Sequence, residues 1–129
     1  MIKQILNIVN KWKVIVYYNL DCNLFHVIET DLYNLRLTEK QVNRIKTRLC
    51  KSVAKAVTIS SSNYKTTIVI FNKHKSKEDY INSIVHESEH IKQDVLSYYN
   101  VNDYGEDPAY TIGYIAMKLI MFCFDNKIL

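Results

Sequence analysis

Residues that interrupt regular structure are nearly missing from this 129-residue chain, which has two Gly and one Pro. Two glycines cannot supply a glycine-rich phosphate loop or a flexible linker, so long, unbroken elements are predicted. Cysteine is scarce too. Cys22, Cys50 and Cys123 are odd in number and form no CxxC pair, which excludes a disulfide miniprotein and reads as reduced core thiols of a cytosolic protein. Long apolar runs are absent: the richest stretch, residues 109–124, contains Lys118 and falls short of the roughly 20 residues needed to cross a bilayer. A buried core helix is expected there, and no membrane partner. The first 13 residues break their apolar positions with Gln4, Asn7 and Asn10 and end in no small-residue cleavage site, unlike a signal peptide. Arginine is rare, with most of the positive charge on scattered Lys, and the net charge is only +4. No basic run interleaves Arg with aromatics, so no nucleic-acid partner is expected.

Ile, Lys, Asn and Tyr dominate what is present, a bias that resembles codon drift more than chemical specialisation. With 48% hydrophobic and 23% charged residues, the chain suits one domain spanning residues 1–129. Ile2, Ile5, Ile8 and Val9 repeat at helical spacing and predict a short N-terminal helix. The run from Lys13 to Tyr18 is β-rich, and Leu24 to Ile28 reads as its hairpin partner across a turn at Asn19 to Asp21, with His26 either a surface-facing or a satisfied sheet residue. Thr38 and Gln41 have capping-box spacing before a helix over about 39–51 with Val42, Ile45 and Leu49 inward. Two β-branched runs follow, 56–59 and 66–71, separated by a polar turn over 60–63. Ser76 caps a long helix to about Tyr98 whose stripe is Ile81, Ile84, Val85, Ile91, Val95 and Tyr98. A loop over 100–105 leads to Asp107 and Pro108, with the chemistry of an N-cap and first helical residue, and to a last helix apolar nearly all round. Such a helix must be buried or wrapped. The fold class is α+β: a small, mainly antiparallel sheet packed against the long helix and a buried C-terminal helix.

The long helix contains His86-Glu87-Ser88-Glu89-His90, an HExxH match. Two His four residues apart project from successive turns of one face, so both imidazoles can reach one metal ion while the adjacent Glu holds a water. At about 100° per residue from Ile81, the apolar stripe averages near 310°, His86 and His90 fall at about 140° and 180°, and Glu87 at about 240°. The His pair thus faces away from the packed side, with Glu87 at the border. Chance placement of the chain's His and Glu yields the pattern only about 0.006 times. The plain alternative is a solvent-facing helix whose His and Glu make i,i+4 contacts.

Catalytic zinc usually has three protein ligands. Asp94, one turn past His90, points along the helix and suits a supporting role. Glu106 can face the His pair if the loop before it turns back, with Gly105 giving the backbone freedom, and Asp107 is its rival. His74, in the polar loop Asn72-Lys-His-Lys, reads as a solvated loop residue, with a transition-state donor as the other reading.

HExxH followed by Gly105-Glu106-Asp107-Pro108-Ala109-Tyr110 resembles the gluzincin arrangement of zinc metallopeptidases, and most of all the small single-domain zinc metallopeptidases of phages and mobile elements of Bacteroidetes. The opening of the last helix, Glu106-x-x-Ala109, is also similar to ImmA/IrrE-type repressor-cleaving peptidases. The resemblance covers about residues 56–124. It implies a minimal zincin-like domain with His86, His90 and Glu106 as Zn²⁺ ligands, Glu87 as base, and the strand 66–71 as the sheet edge above the cleft. It also implies a peptide or protein substrate, a phage or host protein as partner, and a cytoplasmic or virion-associated place in an infected bacterial cell. Two departures stand out: the gap from His90 to Glu106 is shorter than in large gluzincins, and no Asp stands one turn after Glu106. Tyr110 occupies that place, either as an oxyanion donor among the catalytic residues or as a packing residue. A chain this short lacks the second subdomain that supplies substrate-binding walls, so a structural or binding protein of phage virion, assembly or anti-defence type is the competing expectation. A deformylase-like site would need a Cys ligand beside Gly, a setting that Cys50 lacks.

Overall fold

Two strands of near-continuous apolar sequence organise the chain. The computed structural model describes residues 1–51, 54–101 and 106–129, without the side chains of residues 106, 107, 109 and 110. In chain order the elements are β1 (Ile2–Asn7), β2 (Lys13–Tyr18), α1 (Phe25–Asn34), α2 (Glu39–Cys50), β3 (Ala56–Ser61), β4 (Thr66–Phe71), α3 (Lys77–Tyr98) and α4 (Glu106–Asp125). The sheet order is β1-β2-β4-β3. β1 pairs antiparallel with β2, β3 antiparallel with β4, and the two hairpins join through a parallel β2–β4 pairing, Lys13 opposite Thr66 through Tyr17 opposite Ile70. The sheet is therefore mixed, with two of its three pairings antiparallel, and the class is α+β.

Because successive strand side chains point to opposite faces, β2 and β4 feed two cores. Val14, Val16, Tyr18, Val69 and Phe71 meet Ile84, Ile91 and Val95 of α3 and Ile115, Leu119 and Cys123 of α4 on one face. On the other face, Ile15, Tyr17, Ile68 and Ile70 meet Phe25, Ile28 and Leu32 of α1 and Val42, Ile45 and Leu49 of α2. The central strands are covered on both sides, as their near-continuous apolar sequence requires.

The two capping signals hold. Thr38 and Gln41 form both bonds of the capping box at the start of α2, and Ser76 Oγ accepts from Asp79 N–H at the start of α3. Residues 2–7, predicted helical, form a strand: the segment is too short to hold a helix alone, and pairing with β2 satisfies its backbone, with Tyr18 Oη donating to Gln4 Oε1 at 2.7 Å. Leu24 to Ile28, predicted as a strand, lies mostly in α1, whose Phe25, Ile28 and Leu32 are buried at i, i+3 and i+7, leaving His26 exposed on a helix. Asn19 has a φ of 56°, fitting the turn read at that point. Ser60 and Ser61, read as turn, extend β3.

The cysteine reading is corrected. Cys22 and Cys50 are not core thiols: they form a disulfide with Cα atoms 5.9 Å apart, and only Cys123 is free and buried. Docking of α1 and α2 on the same sheet face brings the exposed turn before α1 to the end of α2, which sequence spacing does not reveal. The cysteines thus give no ground for a reducing compartment. Helix α4 buries one face only; Tyr114, Met117, Met121 and Phe124 are exposed. Among the described residues no helix is long and apolar enough to cross a membrane. The loop residues 102–105, including Gly105, lie outside the described residues.

The bridge closes a chain segment with a sequence separation of 28, a loop for which chain-entropy reasoning gives about 3–4 kcal/mol. Urea unfolding with and without reductant should show a loss of that order, and alkylation of unfolded, unreduced protein should modify one cysteine rather than three.

Candidate metal centre

Helix α3 carries the HExxH residues on the side predicted by its periodicity. Ile84, Ile91 and Val95 are fully buried, whereas His86 and His90 are exposed; Val85 and Tyr98, read as part of the inward stripe, are exposed as well, because the packed face is narrower than the apolar sequence pattern. Their Nε2 atoms lie 3.2 Å apart with the rings edge to face. Two metal–nitrogen bonds of about 2.0–2.1 Å that subtend this separation open at roughly 100°, near the tetrahedral angle of zinc. The pair therefore fits chelation of one ion through both Nε2 atoms. The same contact is also an N–H···N bond between rings of opposite tautomer, so the geometry suits the ion without requiring it.

Glu87 leans toward the sheet, lines the same cavity as the His pair, and is only 6% exposed. Its Oε2 accepts a hydrogen bond from Thr58 Oγ1 of β3. Two turns on, Asp94 Oδ2 accepts from Ser60 Oγ at 2.6 Å. Ser60 and Thr67 hydroxyls are 2.8 Å apart, and Trp12 Nε1 donates to Thr67 Oγ1 at 2.9 Å. Since Ser60 spends its proton on Asp94 and Thr67 receives that of Trp12, Thr67 donates to Ser60. The chain Trp12 → Thr67 → Ser60 → Asp94 runs in one direction from the core to the surface. It satisfies the buried indole N–H and Thr67 hydroxyl, which would otherwise carry a desolvation cost.

β3 is the last strand of the sheet, which corrects the expectation that residues 66–71 form the edge: β4 is interior. A cavity of about 340 Å³ lies at this edge, lined by Arg48, Ala56, Val57, Thr58, His86, Glu87, His90 and Asp94. A second of about 340 Å³ continues along α3 past Lys55, Asp79, Asn82 and Ser83, sharing Ala56, His86 and Glu87 with the first. Thr58, Ser60 and Arg48 were not visible as site residues in the sequence. Hydroxyls inside a β-branched run read as ordinary strand residues, and Arg48 arrives from α2 only through the tertiary fold. Their one signal is that Thr58 and Ser60 are two apart, hence on one sheet face.

His74 is half-buried rather than solvated. Its Nδ1 is 2.7 Å from Asn72 O, its Nε2 2.8 Å from Ser83 Oγ, and its ring stacks on Tyr80 with centroids 4.2 Å apart. Both ring nitrogens are engaged, Nδ1 by a backbone carbonyl and Nε2 by a serine hydroxyl, so His74 is not a free loop imidazole. Burial is the chief cause that holds its pKa below the ordinary value.

Glu106 falls at the start of α4, and α3 and α4 pack together. The side chains of Glu106, Asp107 and Tyr110 lie outside the described residues. Among the described residues no three His, Cys, Asp or Glu side chains converge on one point. No family model matches this chain, and no curated protein or solved structure is significantly similar to it. The zincin resemblance therefore rests on its motif residues alone.

Thr58→Val removes the donor to a buried carboxylate and should lower stability by about 1–3 kcal/mol, the range for an orphaned polar partner. Thr58→Ser, which keeps the hydroxyl, should cost less in the same urea titration. Equal costs would show that Thr58 contributes through packing and not through the hydrogen bond.

Proposed function

We propose that this chain is a zinc-dependent, metallopeptidase-like hydrolase, with His86, His90 and Glu106 as the residues that would hold the ion and Glu87 as the base. The observation that carries this reading is the His86–His90 separation of 3.2 Å beside a buried carboxylate on the open edge of a sheet. Zinc held there would supply Lewis acidity toward a peptide carbonyl and toward water. The other tasks fall to the chain. Thr58 holds Glu87 Oε2, which fixes the carboxylate's orientation and leaves Oε1 to take a proton from the attacking water and return it to the leaving amine. The free edge of β3 supports a substrate bound in extended form, whose backbone would add as a further strand and bring its scissile bond alongside α3. Tyr110 stands as an oxyanion donor within this proposal.

A second reading, a structural or binding component of a phage particle or of its interplay with a host protein, draws on two observations. The Cys22–Cys50 bridge favours a place outside the reducing cytosol, such as a virion, over the cytoplasmic one. The exposed Tyr114, Met117, Met121 and Phe124 of α4 offer apolar area of the kind that partner proteins cover.

Purified protein should carry one zinc per chain by elemental analysis, and His86→Ala with His90→Ala should lose it. Glu87→Gln should keep the metal and lose peptide hydrolysis by about 10²–10⁴-fold. Full activity in Glu87→Gln would refute the mechanism, and stoichiometric metal without hydrolysis by the wild type would favour the binding reading.

A further inference from the structure

The loop before α3 and the first turns of that helix hold a constellation that the metal chemistry does not use. Ser83 Oγ lies 2.8 Å from His74 Nε2, and His74 Nδ1 lies 2.7 Å from the carbonyl oxygen of Asn72. A carbonyl oxygen only accepts, so Nδ1 carries the ring proton and Nε2 is the acceptor for the serine hydroxyl. The backbone thereby sets the tautomer that a general base needs, the task a carboxylate performs in a serine–histidine–aspartate triad.

The imidazole is also fixed in space. It stacks on Tyr80, a ring 4% exposed whose hydroxyl accepts from Asn19 N–H at 3.2 Å. Asn72 is equally anchored, its side-chain amide donating to Leu49 O and Ala54 O at 2.8 Å each. Ser83 itself is half-buried and opens onto the cavity shared with Lys55 and Asn82. The Lys55 ammonium is paired with the Asp79 carboxylate in the same cavity, so the Asn82 carboxamide is the group left to hydrogen-bond a developing oxyanion.

We propose that Ser83 is a base-activated nucleophile, with His74 as its base, that accepts an acyl group from activated esters. Serine Oγ bonds to the ester carbonyl carbon while its proton passes to His74 Nε2. Collapse of the tetrahedral centre breaks the bond to the leaving oxygen, which departs with that proton as an alcohol or phenol. Water then attacks the acyl-serine, giving one proton to His74, and the carboxylic acid leaves as Ser83 recovers its hydrogen. No oxidant, metal or further reactant enters the balance. Burial shifts the His74 pKa below its ordinary value, which favours the neutral base.

The chemistry needs no metal, although His86 and Glu87 border the same cavity, and its test separates the two readings. Wild-type protein incubated with a fluorophosphonate probe in the presence of a chelator should gain one covalent adduct, which peptide mass spectrometry should place on Ser83. p-Nitrophenyl acetate should acylate the same residue. Ser83→Ala should abolish the adduct, and His74→Gln should slow labelling at least tenfold. Circular dichroism of each variant would confirm that it is folded. An adduct absent from Ser83 in the wild type would overturn the proposal without recourse to any variant. So would labelling at an undiminished rate in folded His74→Gln, or labelling that chelation removes.

Discussion

The rotational setting of α3 about its own axis governs whatever this molecule does. Apolar burial of Ile84, Ile91 and Val95 attaches the helix to the sheet, but that attraction is non-directional and would tolerate some rolling. Direction comes from β3. Thr58 and Ser60, on one face of the edge strand, donate to Glu87 and Asp94, which stand seven residues apart along one side of the helix. A roll of one position would take both carboxylates from their donors and turn a histidine toward the core. The Trp12–Thr67–Ser60 chain carries this restraint back into the protein, so the setting of the His pair is anchored in the centre of the sheet.

The same arrangement explains what was legible in the sequence. Helical periodicity separated the sheet-facing stripe of α3 from His86 and His90 and put Glu87 at the boundary, because a 22-residue amphipathic helix averages over many positions. Short segments gave no such average. Ile2, Ile5 and Ile8 match a helix, yet the partner strand that captures residues 2–7 lies beyond any local window. Phe25 to Ile28 match a strand, yet the next inward residue, Leu32, restores the helical period. The Cys22–Cys50 pairing and the place of Arg48 depend on two helices docking on a common face, which no spacing rule encodes. Glu106 could be singled out by residue type and its following proline, while its geometry lies outside the described residues.

Layering also divides the labour between the cores. α3 and α4 carry the His pair and the apolar outer stripe on one side, while α1 and α2, bridged by the disulfide, support the other. β3 is where the layers meet, bordered by Arg48 from α2 and His86 and His90 from α3. An edge strand left uncovered invites pairing with other chains. Here its polar neighbours confine that hazard to a short polar groove, where an extended guest would meet charged and imidazole groups before it met another sheet.

The parallel contact between β2 and β4 has a consequence for how the chain gets there. Each hairpin can close locally, but Lys13 must find Thr66 across the whole α1–α2 segment, and that search sets the largest loop-closure cost in the sheet. The Cys22–Cys50 bridge lies wholly inside this segment and takes 28 residues of separation out of the path. It roughly halves the chain to be closed between Lys13 and Thr66, worth about 0.6 kcal/mol of closure entropy. A bond between the turn before α1 and the end of α2 therefore also acts on a contact it does not touch, the strand pairing that joins the two hairpins.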